Sequence, residues 1–414
     1  MKIGLLFDYS KKIATYFSAS LIPMILNLAI NPLIAKNMSP EDYAITGYYT
    51  SFSSLIGPII VFYMVHYYIK EYFRCDEEKR RRLYATIAKA LIWFSGLVSI
   101  ICFSCLFVYL TYFANNFSLP ISPYLALAVF SLPLTGILNL QLAKFRMEKK
   151  ANAFFRLSVA NGVLLVVMSL ILVVLAKMGA FGKLLSVFLS NLSVFTILVI
   201  HSRDCFRTKT TLKDFKPVFA FCLPLALSAM LGYFTNGFTT TYLESVGNIK
   251  EYGIYVVGMS IGAYLSTATT AIWNTFQPDI YESIIKKNWT RWMKYAGIQI
   301  SVIIVVVSAF IVLAPLIIDI LTAGRYIAST KYAQIIALSS ITSSIYYLIN
   351  DLSIATNHPR LYLYTSLIGS VVIVLTMPLA VDAYSFLGGC WMTVASYILF
   401  ACINLTLLKL VATE

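Results

Sequence analysis

Three groups of side chains in this sequence have types and spacings that could do chemistry. The first is polar groups inside long apolar runs. Asn27 and Asn31 follow Pro23 at intervals of four and so share one helical face. Ser228, Gly232, Asn236, Thr239 and Thr240 make a second stripe, and Ser266, Thr270, Trp273, Asn274 and Gln277 a third. Amides and hydroxyls so placed line a polar path, or else bond helix to helix. The second group is ionisable. His66 has the pKa range for proton exchange, or is an interfacial histidine beside Lys70. Asp351, next to Asn350, could hold a proton or sodium ion, pair with a base, or reach the cytoplasmic interface. The third group is cationic. Lys144, Arg146, Lys149, Lys150 and Arg156 fall within thirteen residues, with Lys70 a further candidate. Forked arginine donors suit an anionic headgroup, so Arg146 and Arg156 lead a candidate cationic shelf for an anionic lipid. The plainer meaning of these cations is membrane topology. Trp273 and the amides are the candidates for substrate contact, and the sequence holds no Walker A, HExxH or CxxC pattern.

Membrane-spanning helices must position these groups. The chain has 414 residues, 59% apolar and 12% charged, with mean hydropathy +0.79. A soluble domain is about 45–50% apolar and about 25% charged. The composition therefore excludes a soluble enzyme, a disordered chain and a DNA-binding domain. A span needs roughly 20 apolar residues. Apolar runs predict twelve spans, at 13–35, 43–69, 90–113, 123–143, 157–176, 184–201, 217–242, 252–276, 295–320, 332–356, 361–381 and 387–408. Of the 32 Lys and Arg, 26 fall on the side of the termini and 6 on the other. That bias puts both termini in the cytoplasm and gives the net charge of +14 a topological meaning. The seven cysteines show no metal spacing and read as free thiols. The opening MKIGLLFDYSKK does not read as a signal peptide, so the first span is expected to direct insertion.

The halves repeat weakly. Asp42-Tyr43-Ala44-Ile45 opens span 2 and Glu251-Tyr252-Gly253-Ile254 opens span 8, 209 residues later. Pro23 is matched by Pro224. Six spans per half make the repeat parallel, with an axis along the membrane normal. The expected fold is an all-α polytopic membrane protein: twelve transmembrane helices in two six-helix lobes around a central cavity. The expected divisions are a lobe over 1–201, a cytoplasmic linker over 202–216 and a lobe over 217–414. Spans 5, 9 and 11 are uniformly aliphatic and are expected to face lipid.

Certain stretches resemble a known family. PMILNLAINPLIAKNMSPEDYAITGYYTSFSSLIGPI is similar to the first hairpin of the bacterial polysaccharide flippases, with Ala44 where glycine is usual. FCLPLALSAM, EYGIY and TAIWNTFQPDIYE agree in the second half. The superfamily includes multidrug and toxin extrusion transporters and peptidoglycan-precursor flippases. The chain looks most like an O-antigen flippase. The resemblance implies a non-enzymatic transporter of the bacterial inner membrane. It would move undecaprenyl-diphosphate-linked oligosaccharide to the periplasmic leaflet by alternating access. It implies no cofactor beyond a proton or sodium gradient coupled at His66 or Asp351. It also implies work beside a polymerase and a chain-length regulator, with no nucleic acid or metal. The path is expected along Asn27, Asn31, His66, Asn236, Thr240, Trp273 and Asn274. The family cavity is typically cationic, yet spans 1, 2, 7 and 8 hold no interior Lys or Arg. The nearest are Lys12, Lys70, Lys144, Arg146 and Arg156 toward the cytoplasm. Either the diphosphate is gripped there, or the sugars are largely neutral. The alternatives are a cation-coupled drug exporter of the same architecture and an O-antigen polymerase or ligase. The polymerase would need a larger outer loop than 321–331.

Overall fold

The structure, a computed structural model, describes residues 22–72, 75–113, 119–148, 150–201, 208, 210, 212–244, 248–355 and 360–412. Lys12, Lys149 and most of the expected 202–216 link lie outside the described residues, as do the side chains of Lys70, Asn236 and Asn274. Cα packing divides the chain into two compact units, Met1–Met230 and Leu231–Glu414.

The first unit holds α1 (22–37), α2 (Pro40–Val61), α3 (Met64–Tyr72), α4 (Glu77–Val108), α5 (Tyr124–Met147), α6 (Ala151–Ser169), α7 (Gly179–His201) and α8 (Leu212–Leu231). α4 and α6 run on into π-helical turns, Tyr109–Phe113 and Leu170–Leu175. The second unit holds α9 (Tyr233–Asn236), α10 (Phe238–Glu244), α11 (Ile249–Ile285), α12 (Trp289–Thr322), α13 (Thr330–Ala355) and α14 (Arg360–Ala412). The described residues contain no strand. Without water in a hydrocarbon core, every backbone group must bond within the protein, and helices do this segment by segment.

Each expected span has its helical counterpart, and among the described residues nine helices are long and apolar enough to cross a membrane. α14 carries the last two spans, because Ser385 (φ 51°, ψ −135°) breaks it into two limbs. Gly369 of one limb lies against the ring of Phe400 of the other, where a Cβ would collide. Val305, Val312 and Leu316 of α12 and Val371, Leu375 and Leu379 of α14 are exposed, which fits aliphatic faces meant for lipid.

The structure departs from the expected spans in three places. Span 2 ends at Val61, not near 69, because Phe62 and Tyr63 both take φ of 52°. The nine residues of α3 then form a separate helix. Met64, Tyr68 and Tyr72 on its inner face join a core with Tyr84, Ile87, Leu91, Ile137, Leu140, Val218 and Cys222. Span 7 is interrupted at Gly232 and Gly237 into α8, α9 and α10. Val218 and Cys222 tie α8 to the first unit, so the units divide one helix later than residues 202–216. Arg82 pairs with Asp214 at 2.7 Å, and Lys89 donates to the Thr208 carbonyl at 2.7 Å, holding that stretch to α4. Last, the basic stretch before span 3 is no loop: α4 begins at Glu77, with Asp76 accepting from the Lys79 amide at 3.2 Å as its cap.

The repeated landmarks are clamps. Ser39 and Asp42 form a capping box on α2, bonded at 2.9 and 3.1 Å. The other Asp42 oxygen accepts the Ala180 amide at 2.7 Å, capping α7 as well. Gly179, at φ 51°, lets the chain pass against that carboxylate. In the second unit Glu251 accepts the Tyr332 hydroxyl at 2.7 Å and lies 3.7 Å from Lys331, joining α11 to α13.

Asp42→Ala strips acceptors from the Ser39 and Ala180 amides at once. It is expected to lower stability by about 2–4 kcal/mol. Asp42→Asn, which keeps one acceptor, should lose less. Thermal unfolding of the detergent-purified chain checks the order; equal midpoints for all three proteins would remove the clamp.

Candidate functional site

The cationic turn between α5 and α6 is one candidate. Lys144 places Nζ over the Tyr84 ring, 4.5 Å from its centroid, and the Tyr84 hydroxyl donates to Gln141 Oε1 at 2.6 Å. Arg146 lies over Phe154 at 5.6 Å. Lys150 pairs with Glu148 at 2.7 Å, and that carboxylate raises its pKa. Arg156 is exposed and has no ion pair among the described residues. The turn therefore presents two guanidinium groups not matched by a carboxylate, while one lysine is already paired. Aromatic faces hold the charged ends of Lys144 and Arg146 without neutralising them.

His66 does not lie inside a span. It sits on the exposed face of α3, its ring stacked on Tyr63 at 4.7 Å. Partial desolvation lowers its pKa, and the nearby Arg146 guanidinium lowers it further. The histidine thus belongs with the cationic turn.

The half-buried Asn27 donates its amide to the Pro23 carbonyl at 2.9 Å, and Asn31 also has a partner. Thr240 is buried on α10, beside Thr239, whose methyl group lies against Gly389 of α14. Neither threonine lines the cavity of the second unit.

That cavity has a volume of about 440 Å³ and lies between α11, α13 and α14. α11 contributes Gly262, Ser266, Thr269 and Trp273, of which Ser266 and Trp273 belong to the stripe expected for span 8. α13 contributes Ser339, Ser340, Ser343, Ser344 and Tyr347, and α14 contributes Thr393 and Tyr397. Trp273 joins two of the expected residues: its Nε1 donates to Asp351 Oδ2 at 3.1 Å. Asp351 is 3% exposed, so its carboxyl is buried within the protein. The tryptophan ring lies 6.2 Å from Tyr347, which lies 6.4 Å from Tyr397.

The sequence reading passed over the α13 serines. Their signal was present in SSITSS, where Ser339 and Ser343, and Ser340 and Ser344, repeat at four. It also passed over Gly258 and Gly262, a G-x-x-x-G pair in α11. A Cβ on Gly258 would lie 2.8 Å from the Ser329 carbonyl and 2.9 Å from Tyr332 Cβ. The pair thus lets α11 approach α13 closely, as such pairs do in membranes.

Comparison with known proteins gives a family and a fold. The family model described as polysaccharide biosynthesis protein matches residues 34–331. Lsg locus putative protein 1 of Haemophilus influenzae is 25% identical over 346 residues, 80% of each chain. The lipid II flippase MurJ, in an inward closed conformation, superposes with TM-score 0.71 at 14% identity, over 95% of this chain and 87% of that one. An inward-facing multidrug resistance MATE family transporter of the MOP superfamily gives 0.70 at 13%, over 94% and 96%. The fold is the two-lobe, twelve-helix architecture of these transporters. The two matched structures are described as a flippase and a transporter.

Gly258→Val should wedge α11 from α13 and destabilise the protein by about 1–3 kcal/mol. Gly297→Val, where a Cβ meets nothing within 4 Å, is the control. Thermal unfolding compares them, and a Gly258 variant as stable as the control would refute the close approach.

Proposed function

The chain belongs to the polysaccharide biosynthesis protein family, and from that premise we propose that it flips undecaprenyl-diphosphate-linked O-antigen or related surface-polysaccharide units from the cytoplasmic to the periplasmic leaflet. It is a multi-pass membrane protein of the transporter and flippase class. The observation that carries the finer reading is the cationic turn. A diphosphate headgroup is an anion that hydrocarbon rejects, and paired guanidinium forks replace its hydration best. Arg146 and Arg156 supply those forks, with Lys144 and His66 as further cations near them; Lys150 is paired with Glu148, and Lys70 and Lys149 are candidates by sequence alone. The positive-inside count puts this turn on the cytoplasmic face, where the lipid-linked precursor is made. The half-buried Asn27 and Asn31, with Asn236, Thr240, Trp273 and Asn274, belong to the polar path that alternating access exposes to each side in turn. A polymerase and a chain-length regulator act on the product.

Asp351 favours a second reading. A buried acid in a span, bonded to Trp273, is what a proton- or sodium-coupled drug exporter of this fold requires. In the flippase reading the same acid couples an ion gradient to sugar transport. The two readings part on cargo: deletion of the gene in a strain without a second flippase traps lipid-linked repeat units in the flippase reading, and sensitises cells to cationic drugs in the other.

Export of surface polymer is expected to fall at least tenfold in an Arg146→Ala, Arg156→Ala double variant. Arg146→Lys, which keeps the charge and loses the fork, should also lose export. Immunoblots of surface polysaccharide, with membrane insertion checked separately, read both. Full export by the double variant overturns diphosphate capture at this turn, and a silent Arg146→Lys leaves only topology. Asp351→Asn keeps an acceptor for Trp273 and should abolish the dependence of export on an ion gradient. Undiminished coupling in that variant removes Asp351 from the mechanism.

A further inference from the structure

We propose that the cavity of the second unit is a saccharide subsite that takes neutral, hydroxyl-rich rings and rejects acidic ones. The proposal rests on the flippase reading only for the source of the sugar, a glycan carried on lipid. Its volume, about 440 Å³, is in the range of small-molecule sites, roughly 300–1,000 Å³. Trp273, Tyr347 and Tyr397 give it aromatic walls against which the C–H faces of a sugar ring can pack.

The hydroxyl lining is biased toward acceptors. Ser266 donates to the Ala263 carbonyl at 2.7 Å, Ser339 to Ile336 at 2.6 Å, and Ser344 to Ser340 at 2.6 Å. Thr269, Ser343 and Thr393 also donate to carbonyls of their own helices. Apart from Ser266, which has a further partner, each of these oxygens has committed its proton and retains lone-pair capacity. The Trp273 N–H is likewise committed, to Asp351. A wall of acceptors calls for a ligand rich in donors, and sugar hydroxyls are that.

Ser340 gives an independent sign. It is 4% exposed and lines the cavity, yet its hydroxyl has no partner among the described residues. A buried polar group is normally paired, and one left open toward a cavity marks a place for a ligand or water. Charge sets the selectivity. Among the described residues, the lining contains no Lys, Arg or His. A uronate or phosphate placed there would be a desolvated anion without a counter-charge, an arrangement far costlier than an unpaired hydroxyl. The cavity therefore recognises the uncharged part of a glycan.

The test uses the full chain in lipid nanodiscs, titrated with maltotriose and, separately, with trigalacturonic acid. Tryptophan emission reports occupancy. Maltotriose should give a saturable change, and the acidic trisaccharide should bind at least tenfold more weakly. Trp273→Phe should abolish the signal, and Ser340→Val should weaken maltotriose binding about tenfold, both with unchanged helicity and monodispersity. As a folding-independent check, equilibrium dialysis with radiolabelled maltotriose should show the same loss in Ser340→Val. Equal binding of the two trisaccharides, binding of neither, or wild-type affinity in Ser340→Val overturns the subsite. Sodium or potassium chloride reproducing the emission change without any sugar would assign the cavity to a cation and also overturn it. Those failures leave the flippase reading standing, since that is decided by the fate of lipid-linked units in the deletion strain. Failure of the flippase reading would in turn leave maltotriose binding intact.

Discussion

The absence of water around the helices governs most of what this chain does with its polar groups. In hydrocarbon a donor or acceptor must find its partner inside the protein. The backbone answers by being helical over nearly all of the described residues. Serine and threonine answer by bonding back to carbonyls three or four residues earlier, as Ser53, Thr135, Ser301 and Thr376 do on four different helices. That local solution has a consequence where helices separate. A hydroxyl that spends its proton on its own helix turns acceptor capacity outward. Between α11, α13 and α14 enough such hydroxyls converge to give the cavity its chemistry.

The same constraint explains why the stretch that resembles the family most closely is structural. Ser39-Pro40-Glu41-Asp42 starts α2 with a proline at the first turn and a reciprocal cap, both ordinary helix-start chemistry. Asp42 then accepts from the first turn of α7, satisfying an amide that α7 cannot satisfy itself. Glu251 occupies the matching place in the second half and accepts from Tyr332. An acid at a helix start, facing a neighbouring helix, locks two helix ends together. The repeat is thus visible in sequence because each half needs the same clamp, which says nothing about what the halves carry.

Hydropathy made the spans legible, since length and apolarity are properties of one segment. Interruptions within spans were harder, because they depend on neighbours. Phe62 and Tyr63 are ordinary span residues by type, and nothing in them announces left-handed backbone. Their conformation makes sense only once Tyr68 and Tyr72 are seen packed on Tyr84, which requires the chain to turn at 62–63. Gly232 and Gly237 could have marked the breaks in span 7, since glycine weakens a helix interior. Asp351 read ambiguously because its burial is set by neighbouring helices, and its bond to Trp273 of α11 is a contact no single segment reveals. The α13 serines were passed over for a related reason. Serine is common in helices, and only the convergence of three helices separates a lining hydroxyl from a packed one.

The cationic turn lies in the first unit and the hydroxyl-lined cavity in the second. A strong cation lining a cavity meant for sugar would bond hydroxyls indiscriminately and attract acidic groups. Hydroxyl acceptors and aromatic faces discriminate by shape and donor pattern at modest strength, which favours release. Trp273 stands where these demands meet. Its ring is a wall of the cavity, while its N–H is held by Asp351. Hydrogen bonds to an ionised acceptor are roughly twice as strong as neutral ones. The indole that walls the cavity is therefore fixed by a buried acid, which keeps its ring in place while its N–H takes no part in the lining.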